Sequence, residues 1–216
     1  MTEILMKAGS FVAIIIMGDM LRRKGFFKEE DFYVLSRIVL KITLPAAIVT
    51  NFTGIDLKPS MLLMSMLGLG GGVLLVGIAF LISAGKSGGE KAFNIVNLSG
   101  YNIGNFTMPF AQGFLGPMGV VATSLFDSGN ALVCLGGAYS VAVMAKGEKN
   151  KFSVMPIIKT LLLSVPFDAY LLMTILSLLH LTLPAPVVSF TGIIANANAF
   201  MAMLMLGVGF KMTGDR

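Results

Sequence analysis

Apolar residues fill seven long runs, about 4–21, 32–52, 59–83, 90–115, 118–145, 154–179 and 186–210, with polar residues gathered in the short gaps between them. A helix needs about 20 mostly apolar residues to cross a bilayer, and each run approaches or exceeds that length. The pattern predicts an all-α polytopic membrane protein of seven transmembrane helices. The fourth run departs from the rule. Between residues 97 and 117 it reads NLSGYNIGNFTMPFAQGFLGP, with Ser99, Gly100, Tyr101, Asn102, Gly104, Asn105, Thr107 and Pro109 at the same depth as its apolar neighbours. Proline removes a backbone donor and glycine weakens a helix, so the fourth helix is expected to be broken. Unpaired backbone groups cannot face lipid, and a break of this kind is kept where it is buried in protein or lines a watery cavity.

Composition agrees. Of 216 residues, 56% are hydrophobic and only 12% charged, with a mean hydropathy of +0.86. An ordinary soluble domain carries roughly 25% charged residues. The net charge of +5 does not indicate a nucleic-acid partner, because the basic residues cluster between runs rather than on one face. They fall on alternate gaps. Arg22, Arg23, Lys24, Lys28, Lys86, Lys91, Lys146, Lys149, Lys151, Lys211 and Arg216 give one side eleven, against Lys7 and Lys58 on the other. The positive-inside rule then predicts an external N-terminus, a cytoplasmic C-terminus and the cell (inner) membrane. The basic cluster follows the first run, so that run is read as a retained span and not a cleaved signal.

Several motifs reduce to structure. Gly68 and Gly72 form a small-xxx-small pair suited to close helix packing. Lys86-Ser87 after Gly85 lacks the earlier glycine of a phosphate loop, since Phe80 occupies that position. The single cysteine, Cys134, reads as a small buried hydrophobe, and the single histidine, His180, as an exposed outer-loop residue. No nucleophile–base set, metal cluster or cofactor motif is visible, so an enzyme is not expected. Asp19 is expected to pair with Arg22 or Arg23.

The broken fourth run is the candidate site. The second half of the helix is expected to begin near residues 104–109, where its first amides lack helical partners and present roughly half a positive charge. A carboxylate could be held there. Asn102, Asn105 and Thr107 add polar groups, with Gly104 and Pro109 shaping the break. In the fifth run, Asp127 lies near mid-membrane with Asn130 almost a turn later. An intramembrane carboxylate is costly and is usually functional or paired. Asp127 is read either as the site of a coupling proton or sodium ion, or as a hydrogen-bond partner for freed amides of the fourth span.

The broken run, followed by Phe126-Asp127-Ser128-Gly129-Asn130 and accompanied by Leu44-Pro45-Ala46 in the second run, resembles the auxin efflux carrier family of permeases, whose bacterial members include malate and malonate permeases. The resemblance implies a five-plus-five inverted-repeat fold, with broken fourth and ninth spans crossing at the substrate site. This chain corresponds to its first seven spans. Residues 4–53 and 154–210 would be scaffold, and 59–145, with the broken helix 90–115, half of a transport domain. The implied activity is ion-coupled secondary transport of a small organic anion, without cofactor, with homodimerisation through the scaffold helices. Lys41 and Asp168 would both lie in the scaffold. They are read as a structural ion pair, or Lys41 or Arg37 is read as a countercharge for the anion on the cavity wall. The alternative reading is a truncated or split-subunit chain without autonomous transport, or a non-transporting membrane sensor or scaffold.

Overall fold

The computed structural model describes residues 2–146 and 154–210, and they are built of helices and connecting turns, with no strand among them. Lys149, Lys151, Lys211 and Arg216, four of the residues behind the predicted orientation, lie outside this set. The helices are α1 (Thr2–Arg23), α2 (Asp31–Ile38), α3 (Leu44–Phe52), α4 (Leu63–Ile82), α5 (Gly88–Leu98), α6 (Met108–Leu132), α7 (Ala138–Ala145), α8 (Val154–Leu161), α9 (Val165–Leu178), α10 (Ala185–Ala195) and α11 (Asn198–Gly209).

Among the described residues, five helical stretches are long and apolar enough to span a membrane: Ile4–Arg23, Asp31–Phe52, Pro59–Ile82, Gly88–Ala145 and Ala185–Gly209. Gly88–Ala145 has 58 residues, about 87 Å as one straight helix, nearly three times the hydrocarbon core. It does not run straight. Gly116 takes φ 63 and ψ −156, a conformation open essentially to glycine, and Pro117 follows. The chain doubles back there, so this stretch supplies the fourth and fifth spans. α8 and α9 together make the sixth, and α10 and α11 the seventh. Large apolar side chains cover the outside, among them Leu81, Phe190 and Ile193, as expected of a surface that meets lipid.

Within this shell the helices approach through glycine. Gly18 of α1 and Gly207 of α11 face each other, and a Cβ on Gly18 would stand 2.7 Å from the Leu204 carbonyl oxygen. α4 crosses the fifth span at a reciprocal pair: a Cβ on Gly68 would strike the Phe126 carbonyl, and one on Gly129 the Ser65 carbonyl. Gly72 meets Val133. The main apolar cluster joins the second, fourth, fifth, sixth and seventh spans around Leu44, Met108, Leu125, Tyr170 and Met203. A smaller one joins α4, α5 and α7 around Ala79, Ile95 and Ala138. At the end of α1, Asp19 accepts from Arg22 and Arg23, both at 2.7 Å, as the spacing predicts.

Because the atoms opposing Gly68 and Gly129 are backbone, they cannot rotate away. Gly129→Leu is expected to destabilise the protein by more than the 1–3 kcal/mol usual for overpacking, read as loss of the monodisperse detergent-extracted species. Gly70→Ala, where nothing lies within 4 Å, should leave that species unchanged.

Candidate functional site

Four spans lose regular helical form around one cavity. In the second, a five-residue π-helical turn, Val39–Thr43, precedes Pro45. In the fourth, the turn Ile103–Thr107 precedes Pro109 at the same spacing. A proline ring clashes with the carbonyl four residues before it and donates nothing to it, and the wider turn gives the ring room. The carbonyls concerned belong to Lys41 and Asn105. The fifth span carries a third such turn, Val133–Gly137. The sixth is interrupted at residues 162–164.

The unwound part of the fourth span lies earlier than the sequence suggests. Residues 104–109 are helical, first as the π turn and then as α6. The open backbone is at 99–102, where Ser99 is extended and Gly100 takes φ +103. Proline does not unwind the residues before it here, because the π turn absorbs it. Glycine sets the break instead: a Cβ at Gly100 would run into the Cys134 sulfur.

Asn130 of the fifth span holds this break. Its Oδ1 accepts from the Tyr101 N–H at 3.2 Å, and its Nδ2 donates to the Tyr101 carbonyl at 3.2 Å. The carboxamide thus stands in for a neighbouring peptide group. Its second N–H donates to Asp127 Oδ1 at 2.9 Å, and Oδ1 also accepts from the Cys134 thiol at 3.1 Å. Two donors and two acceptor positions exhaust an asparagine side chain. Asn130, 2% exposed, also lines the cavity, with its hydrogen-bonding positions taken up within the protein. Asp127 completes the chain of bonds, its Oδ2 accepting from the Tyr170 hydroxyl of α9 at 2.9 Å.

The cavity beside this network measures about 340 Å³, within the range of small-molecule sites. Lys41 and Leu44 wall it from the second span, Asn102, Gly104 and Asn105 from the fourth, and Asp127 and Cys134 from the fifth. Ser164, Pro166 and Tyr170 close it from the sixth. Asn105 Oδ1 is buried and has no hydrogen-bond partner among the described residues. Thr107 and Pro109 do not reach the cavity. Thr107 instead closes on the Asn102 carbonyl through its N–H and its hydroxyl, at 3.3 and 3.4 Å.

Lys41 and Asp168 form no ion pair among the described residues. Asp168 sits in the first turn of α9, where the helix dipole favours a carboxylate without a cation. Among the described residues, Lys41 and Asp127 are the charged residues of the cavity wall, and Arg37 lies exposed outside it. Cys134 is not a buried hydrophobe but an exposed thiol on that wall. Sequence reasoning also missed Tyr170. Its partner lies 43 residues away, and no periodicity announces that contact. The sixth-span break was signalled by Ser164-Val165-Pro166, an N-cap residue followed by an early-turn proline. His180 is exposed, as expected, and faces Asp56 at 3.4 Å.

No family model matches the chain, and no solved structure matches it. Over 204 residues it is 25% identical to a protein of Methanothermobacter thermautotrophicus described as an uncharacterized transporter. The matched part is 92% of this chain and 65% of that relative, so the chain spans just under two thirds of its length.

Asn130→Ala would leave the Tyr101 N–H and carbonyl without these bonds. Each lost hydrogen bond is worth about 0.5–1.5 kcal/mol. A fall of several degrees in the unfolding temperature is expected, with faster alkylation of Cys134 as the break loosens.

Proposed function

We propose that this membrane protein is a secondary transporter, similar to the auxin efflux carrier permeases, that moves a small organic anion, a carboxylate in the first instance. The observation that carries the reading is a cavity walled by two helix breaks and three π-helical turns, holding one carboxylate and one ammonium group. Discontinuous spans of this kind form the substrate and ion sites of many transporters. The similarity to a protein described as a transporter supports the same class.

Lys41 is the countercharge for the anion. Around it, the first amides of the resumed fourth span and of α9 supply partial positive charge without a second buried cation. Asn102 and the unpartnered Asn105 oxygen select the polar atoms of the solute. Asp127 takes the coupling proton or sodium ion, and its bonds to Asn130 and Tyr170 tie ion occupancy to the fourth-span break and to the sixth span. Residues 59–145, half of the transport domain of a five-plus-five inverted-repeat fold, rock against the scaffold helices, which also form a homodimer. The N-terminus is external and the C-terminus cytoplasmic in the cell membrane, as the basic gaps indicate.

Uptake of labelled malate and malonate into proteoliposomes, driven by a proton or sodium gradient, tests the reading. Asp127→Asn should abolish the gradient dependence. Lys41→Gln should raise KM by about tenfold, equivalent to about 1.4 kcal/mol. Unchanged uptake in both variants would overturn the assignment. Because Cys134 is the sole cysteine and lines the cavity, its alkylation should slow when the anion binds. Protection without uptake is the outcome of the alternative, in which this chain binds but does not transport by itself.

A further inference from the structure

We propose that the sixth span is mechanically divided: α8 travels with the fifth span, and residues 162–164 are the hinge joining it to a stationary α9. This rests on the transport reading and deepens it. The sequence groups all of 154–210 as one scaffold, but the packing does not treat the span as a unit. α8 buries Ile157 and Leu161 against Ala131 of the fifth span. A Cβ on Gly136, in that span's π turn, would meet Ile157 Cγ1 at 2.7 Å. The fifth span is thus the principal neighbour of α8.

α9 packs chiefly on the second span, although its Phe167 also rests on the cluster that α8 shares with the fifth span. Tyr170 and Met173 of α9 share a cluster with Ile48 and Phe52 of α3 and with Val121 and Leu125 of the fifth span. Farther along, the Ser177 hydroxyl donates to the Ile55 carbonyl at 2.8 Å and accepts from the Leu57 N–H at 3.3 Å, fastening α9 to the segment after α3. Among the described residues, one side-chain hydrogen bond crosses from α9 to the fifth span, Tyr170 to Asp127.

The backbone between the two helices is suited to bending. The Ser164 N–H donates to the Leu161 carbonyl at 2.9 Å, which closes α8, and the Ser164 carbonyl accepts from Asp168 N–H at 2.9 Å, which opens α9. Ser164 itself is extended, with φ −92 and ψ 101, and Pro166 can donate no bond backwards. The two ladders meet at this one residue, so changing its φ and ψ breaks neither. Hinges are commonly a few element-terminal residues of this type. Leu163, Ser164 and Pro166 also line the cavity. Bending there changes the width of the cavity beside Asp127.

Spin-label distances in the full chain in lipid nanodiscs test the hinge. In a Cys134→Ser background, nitroxides would be attached in pairs to cysteines at three exposed positions, Met155 of α8, Tyr139 of α7 and Ile193 of α10. Distances would be compared at acidic and alkaline pH, with and without sodium, and with and without malonate. The Met155–Tyr139 distance should stay constant while Met155–Ile193 and Tyr139–Ile193 shift together, by about 5 Å, one helical turn. If Met155 keeps its distance to Ile193 while Tyr139 moves, the hinge is overturned and the transport reading stands. If all three distances stay fixed in every condition, the rocking reading falls and takes the hinge with it.

Discussion

A backbone interrupted inside hydrocarbon must find its hydrogen bonds within the protein, and that requirement organises the centre of this molecule. Helices meet it residue by residue, and any departure needs a specific replacement. At the fourth-span break the replacement is one asparagine side chain, 29 residues away. Because Asn130 also bonds Asp127, and Asp127 bonds Tyr170, the repair of a backbone defect connects three spans. The site chemistry and the structural repair are one network.

The prolines of the second and fourth spans show a second solution to the same requirement. Each follows a five-residue π-helical turn by one residue. The turn accommodates the ring without unwinding the helix and directs the lining residues Lys41 and Asn105 to the cavity. Away from the cavity the spans are joined through glycine contacts and apolar clusters. Rigid pairs such as α1 with α11, or α4 with the fifth span, therefore surround a centre held by side-chain hydrogen bonds.

What could be read from the sequence was whatever depends on local composition. The apolar runs, the Gly68 contact, the Asp19–Arg pairs and the turn at Gly116–Pro117 all follow from residue type and spacing. The cavity was legible in outline, since Asn102, Gly104, Asn105, Asp127 and Lys41 all line it. The details that escaped depend on distant partners. Nothing near Asn130 indicates that both faces of its amide are used. Nothing near Asp168 shows that Lys41 is out of reach. The break was expected at Gly104–Pro109 because proline is the stronger breaker in water. In the folded protein a π turn absorbed the proline, and Gly100, pressed against Cys134, became the point of unwinding.

The fit between Gly100 and Cys134 also restricts how this site can vary. With a sulfur filling the space a Cβ at residue 100 would need, and a φ of +103 that side chains rarely adopt, residue 100 stays glycine whatever stands at 134. Since the same sulfur also bonds Asn130, a replacement at 134 has to be compact and still able to donate. Serine and threonine meet the second condition, and only serine meets both. Glycine at 100 and a cysteine or serine at 134 are therefore expected to persist together while the lipid-facing residues around them exchange freely.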